Sequence, residues 1–80
     1  MTMHWRDVAS STIRSVGYDS RAKEMGVIFH SNPTTPYHYR NTELHEYDAL
    51  MRADSTGSHF HKHFRSQPEK HPFRKVIPNA

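Results

Sequence analysis

Apolar and polar positions alternate most clearly in Lys23-Glu24-Met25-Gly26-Val27-Ile28-Phe29-His30. Met25, Val27 and Phe29 there fall on one face with a period of two, which predicts a half-buried strand. The stretch Ser10–Tyr18 is rich in β-branched and small residues and reads as the strand before it. Ile13 and Val16 have opposite parity, and a bulge near Arg14-Ser15 brings both to one face. Tyr18-Asp19-Ser20-Arg21-Ala22 is a turn signal, because Asp and Ser bond their own backbone, so the two strands form a hairpin. Ser31–Pro36 holds two prolines and no periodic apolar residue, and reads as a loop. Pro36–Arg40 is a short third strand, with Tyr37 and Tyr39 on one face and His38 on the other.

The period then changes. Leu44, Tyr47, Leu50 and Met51 form one apolar stripe at helical spacing, leaving Glu46, Asp48 and Arg52 to solvent. Asn41 or Thr42 supplies the expected cap, and Glu43 faces the positive end of the helix dipole. Asp54-Ser55-Thr56-Gly57 ends this helix. Ser55 caps a second one whose buried pair is Phe60 and Phe64, four residues apart, and Ser66-Gln67-Pro68 stops it. From Glu69 onward, Pro72 and Pro78 with isolated Phe73, Val76 and Ile77 predict a tail, either disordered or docked by Phe73. The expected architecture is an α+β domain: a three-stranded antiparallel sheet with two helices on one face, in the order β-β-β-α-α, and a basic C-terminal tail. The expected boundaries are an N-terminal extension over 1–7, a domain over 8–66 and a proline-containing tail over 67–80.

Composition narrows this picture. A chain of 80 residues with 34% hydrophobic residues forms one small domain whose core leans on its aromatics. A domain of that size buries only about 60% of its unfolded surface. With no cysteine there is neither a disulfide staple nor a thiolate site. No stretch resembles a signal peptide or reaches transmembrane length, so a soluble, cytoplasmic protein is expected. The net charge of +3 is unevenly spread, with +2 over residues 1–41, −3 over 42–58 and +4 over 59–80. The last segment adds His59, His61, His63 and His71. A basic end suits phosphates or an acidic protein, and net charge also serves plain solubility.

Several of these stretches form an ordered series. Val8-Ala9-Ser10-Ser11-Thr12-Ile13 is followed by Val16-Gly17-Tyr18-Asp19, Met25-x-Val27-x-Phe29, Tyr37-His38-Tyr39 and Ala53-Asp54-Ser55-x-Gly57-x-x-Phe60. The series resembles the KTSC domain over roughly Val8 to Arg65. That domain is named for the C-terminus of some lysyl-tRNA synthetases and also occurs in small stand-alone bacterial and phage proteins. The resemblance implies an RNA-binding role through that attachment. This chain departs from the family pattern in having Asn41-Thr42-Glu43 before the helix, His59 before Phe60, and a longer Pro33–Pro36 stretch.

Three constellations carry candidate chemistry. Tyr37 and Tyr39, on one strand face, either stack bases or pack under the helix through Leu44 and Leu50. In the second case Ser10 or Ser11 partners their hydroxyls. His59 and His63 have a spacing used for zinc, but no third ligand is indicated beyond the distant His4, His45 and His71. No metal and no cofactor is therefore expected, and a solvated histidine face is the simpler reading. Lys62, Arg65, Lys70, Arg74 and Lys75, interleaved with Phe64 and Phe73, form either a phosphate-facing strip or a solvated tail. Catalysis is not expected. No G-x-S-x-G surrounds Ser10 or Ser11, Glu43, Glu46 and Asp48 suit a helix start, and the glycines lie too far apart to cradle a phosphate.

Two functions follow. One is a non-enzymatic module binding RNA, tRNA or another nucleic acid through Tyr37, Tyr39, Lys62, Arg65, Lys70, Arg74 and Lys75. The other is a protein-interaction module, such as a phage or prophage accessory protein acting on a host complex. A homodimer through an unpaired sheet edge is a further option.

Overall fold

The computed structural model describes residues 3–76. Its sheet has five antiparallel strands in sequence order, which corrects the expected three. They are β1 (His4–Asp7), β2 (Ile13–Asp19), β3 (Glu24–Phe29), β4 (Asn32–Tyr39) and β5 (Phe73–Lys75). Helices α1 (Leu44–Arg52) and α2 (Thr56–Phe60) lie between β4 and β5, and α2 continues as a π-helical turn over His61–Arg65. The fold remains α+β, but the expected N-terminal extension and basic tail supply its two outer strands. Ile77 and Pro78, part of the expected tail, lie outside the described residues.

The β2–β3 hairpin follows the sequence pattern. The register slips between Ile13 and Ser15, so Arg14 is the extra residue of a bulge and both Ile13 and Val16 are buried. The proline stretch behaves differently from the expected loop. His30 and Ser31 make the turn, Asn32 pairs with Phe29, and pairing resumes at Tyr37 with Val27. The residues between bulge out of the ladder, as prolines without an N–H must. β5 then pairs with β4 through Tyr37–Lys75, His38–Arg74 and Tyr39–Phe73.

One sheet face carries the core. Ile13, Val16, Tyr18, Met25, Val27 and Tyr39 meet Leu50, Phe60 and Phe64 from the helices. Leu44, expected in the buried stripe, is 56% exposed. α1 starts one or two residues later than expected: Glu43 is its N-cap, and the Glu43 amide donates to Glu46 Oε1 at 2.9 Å. Thr42 is instead a buried junction. Its Oγ1 donates to the Tyr39 carbonyl, its amide donates to the Lys23 carbonyl, and its own carbonyl accepts from the Tyr18 hydroxyl at 2.7 Å.

The opposite face is covered differently. Trp5, Gly17, Gly26, His38 and Arg74 form a row across the five strands. A Cβ on Gly17 would lie 2.8 Å from Trp5 Cδ2, and one on Gly26 only 2.5 Å from Trp5 Cη2. The two glycines therefore make the bed on which the indole lies, and Trp5 stays 39% exposed.

The C-terminal segment is held by one buried side chain. His71 is 1% exposed and packs on Phe64 with ring centroids 4.6 Å apart. Its Nδ1 lies 2.9 Å from the Arg40 carbonyl and its Nε2 3.1 Å from Glu46 Oε2. Arg40 N also donates to the Pro72 carbonyl, and Val76 N to that of Pro36. These bonds bring β5 to the β4 edge.

Candidate nucleic-acid interface

The π-helical turn and the β4–β5 edge enclose a cleft of about 250 Å³ lined by Phe29, Tyr37, Tyr39, Phe64, Arg65, His71 and Phe73, among others. Its aromatic walls come from β4 and β5, where alternation points Tyr37, Tyr39, Phe73 and Lys75 to the helix side. The Tyr37 and Phe73 rings are 5.7 Å apart and those of Tyr39 and Phe73 5.5 Å. Phe73 is 53% exposed, and the Lys75 ammonium sits 5.8 Å above the Tyr37 ring centroid.

The two tyrosines of the central motif play different parts. Tyr39 is 4% exposed and meets Phe60 edge-to-face, so its ring belongs to the core. It shares that core with Leu50, as one expectation had it, whereas Leu44 stands 56% exposed. No hydrogen bond engages its hydroxyl among the described residues, and no buried polar side-chain atom there lacks a partner. The hydroxyl therefore opens on the cleft. Burial pushes it up to about 12, the Arg65 cation pulls back against that, and Tyr37 adds to it. Tyr37 is half-buried, with its ring between Phe29, Phe73 and Lys75. Phe73 is the open aromatic surface, a role sequence reasoning did not give it. Its place after Pro72 and among the cations of the basic end was the available signal.

The expected strip of five cations divides. Lys70 pairs with Glu46 at 2.9 Å, and Arg74 reaches Glu24 at 3.5 Å on the far sheet face. Glu24 also contacts His38 and Arg40, so that face is a charge network. Lys62, Arg65 and Lys75 have no acidic partner among the described residues. Arg65 and Lys75 stand at the aromatic cleft, and Lys62 is exposed on the same π-helical turn as Arg65.

A second cleft of about 580 Å³ adjoins the first and shares Thr12, Phe29 and Arg65 with it. It is lined by Ser10, Ser11 and Thr12 on one side and Asp54, Ser55, Gly57 and Ser58 on the other. Gly57 brings the walls together: a Cβ there would stand 3.4 Å from Ser10 Oγ. Ser10 Oγ accepts from the amides of Thr12 and Ile13, and Ser55 Oγ from the Ser58 amide. Ser10 thus shapes its own turn and does not partner a tyrosine.

His45, His59 and His63 line one small pocket between α1 and the α2 end, with Glu46 beside them. His59 and His63 have ring centroids 4.3 Å apart. Burial, then His63 and Lys62, hold His59 below the usual histidine range. Among the described residues no three His, Cys, Asp or Glu side chains gather in a metal-holding group. No helix there is long and apolar enough to cross a membrane.

The comparisons with known proteins agree with the motif series. The chain is 38% identical over 58 residues to an uncharacterized protein of Stutzerimonas stutzeri (strain A1501), covering 72% of this chain and 79% of that one. The crystal structure of a KTSC domain protein from Yersinia pestis superposes with a TM-score of 0.83 at 27% identity. That likeness covers 94% of this chain and 99% of the other. The model of the KTSC domain matches residues 9–67, and the chain therefore belongs to the KTSC domain family.

Proposed function

We propose that the protein is a non-enzymatic module that binds single-stranded nucleic acid, RNA first among the candidates, in the cleft between the π-helical turn and β5. The observation that carries this reading is the cleft itself: an open Phe73 ring, with Arg65 and Lys75 unpaired among the described residues and flanking it. A base stacks on an exposed aromatic through its π-face, at about 1–3 kcal/mol per base. Neighbouring cations take the phosphates and release counterions. Tyr37 supports the platform from behind, and Lys62 extends the positive surface. Lys70 and Arg74 contribute less, because each already faces a carboxylate. A cytoplasmic location and tRNA as a partner belong to the same reading.

The test is fluorescence anisotropy with labelled single-stranded RNA and tRNA. Affinity should fall steeply with salt. Arg65→Gln should weaken binding and reduce the salt slope by about one contact, and Phe73→Ala should weaken it with the slope unchanged. Absence of binding at low salt, or binding indifferent to salt, would sink the reading.

A second reading rests on Trp5, an exposed indole on the sheet face away from the helices. It suits a protein-interaction module, with β1 or β5 as the edge for a homodimer or a host protein. Sedimentation of the wild type beside Trp5→Ala tests it: a monomer in both cases removes the homodimer.

A further inference from the structure

The two clefts differ in chemistry and meet at Thr12, Phe29 and Arg65. On one side are aromatic walls, and on the other, beside Phe29, Phe60 and His61, a run of hydroxyls ending at a carboxylate. Ser11, Thr12 and Ser58 line the polar cleft, and their hydroxyls make no hydrogen bond among the described residues. Asp54 lines it too, exposed, with neither a hydrogen bond nor an ion pair among the described residues. A carboxylate accepts hydrogen bonds and cannot donate them at neutral pH, so it rejects phosphate and selects a hydroxyl donor. Serine and threonine hydroxyls do both.

A ligand that satisfies this order has a flat ring at one end, an anion in the middle and hydroxyl donors at the far end. A nucleobase, a phosphodiester and the ribose that follows it have that order. Deoxyribose lacks the 2′-hydroxyl, the group by which a protein tells RNA from DNA. We propose that the hydroxyl-lined cleft is a ribose site, in which Asp54 accepts from the 2′-hydroxyl of the nucleotide after the one stacked on Phe73. Arg65 holds the phosphate between them. The protein is thereby selective for RNA over DNA of the same sequence. This rests on the nucleic-acid reading above and deepens it, because the family motif stretches Ala9–Thr12 and Asp54–Gly57 form the sugar-reading half.

The experiment compares a short labelled oligoriboadenylate, its 2′-O-methyl form and the matching oligodeoxyadenylate by anisotropy, with wild type, Asp54→Ala, Ser11→Ala and Phe73→Ala. Circular dichroism confirms that each variant is folded. The wild type should prefer RNA about tenfold, the worth of one charge-assisted hydrogen bond near 1.4 kcal/mol. The 2′-O-methyl form, which cannot donate, should bind as DNA does. Asp54→Ala should bring the RNA-to-DNA ratio near one, and Ser11→Ala should lower the ratio less. Equal affinity for RNA and DNA in the wild type, or a ratio unchanged by Asp54→Ala, overturns the ribose site. If Phe73→Ala still weakens both ligands in that case, the nucleic-acid reading stands without it. No binding of any oligonucleotide overturns both.

Discussion

Replacing His71 by alanine should remove more stability than any other single polar substitution in the chain. The imidazole is 1% exposed and is enclosed by Phe64, the Arg40 carbonyl and the Glu46 carboxylate. A carbonyl and a carboxylate are both acceptors, and each ring nitrogen faces one of them. Truncation loses three things. A large buried side chain cut to alanine costs about 2–5 kcal/mol in packing and cavity. A hydrogen bond to a neutral carbonyl adds about 1 kcal/mol, and one to a carboxylate about 1.5–3 kcal/mol. Water entering the vacated space rebonds the Arg40 carbonyl and the Glu46 carboxylate and returns most of the hydrogen-bond part, so we expect a net loss of about 3–4 kcal/mol. A domain of this length holds about 4–12 kcal/mol in all, and the melting temperature should fall by about 15–25 °C.

Urea unfolding followed by far-ultraviolet circular dichroism reads this loss. His71→Phe separates its parts: the ring keeps the stack on Phe64 but forfeits both hydrogen bonds, and should retain about half of the lost stability. A loss below about 1 kcal/mol in His71→Ala would refute the clasp. Because His71 lies two residues before β5, His71→Ala should also lower affinity at the Phe73–Lys75 cleft while Lys75 itself is intact.

Four further outcomes follow from named contacts. Burial works to raise the Glu46 carboxyl, but the Glu43 amide, Lys70 and His71 outweigh it and hold it below the usual carboxylate range. A depressed folded value stabilises above the unfolded carboxylate value, and this is lost as pH falls through the folded one. An acid titration of stability should therefore steepen there in the wild type and flatten in Glu46→Gln. Tyr39, raised to about 12 chiefly by burial, stabilises below the ordinary tyrosine value. That contribution should disappear as pH climbs toward 12, and Tyr39→Phe should lack the late rise in tyrosinate absorbance. Gly26→Ala places a methyl 2.5 Å from the Trp5 ring, so the emission of the single tryptophan should shift to the red with a loss of about 1–3 kcal/mol. An unchanged spectrum would contradict the stacking of Trp5 on Gly26. Lys23 has φ 54° and should gain about 0.5–1 kcal/mol as Lys23→Gly, measured by urea unfolding. Its exposed pair with Glu43 at 3.2 Å offsets little of that.

The parts legible in the sequence are those whose cause is local. Period-two alternation over Met25–Phe29 marked a strand. The parity clash of Ile13 and Val16 marked a bulge, and the Phe60–Phe64 spacing marked a helical face. The motif series likewise identified the family, since it depends on order along the chain. Other features lay beyond local pattern. β1 and β5 have four and three residues, all exposed, and show no alternation. They are strands only because β2 and β4 offer them a ladder to join. His71 reads as one histidine in a basic tail, yet its partners lie 31 and 25 residues away in sequence. The basic strip reads as one surface until the sheet sends Arg74 to one face and Lys75 to the other. The sequence alone thus determined the central hairpin, the helical pair and the family. The tertiary structure decided which side chains share a cleft, because a sheet edge brings together residues that no local period connects.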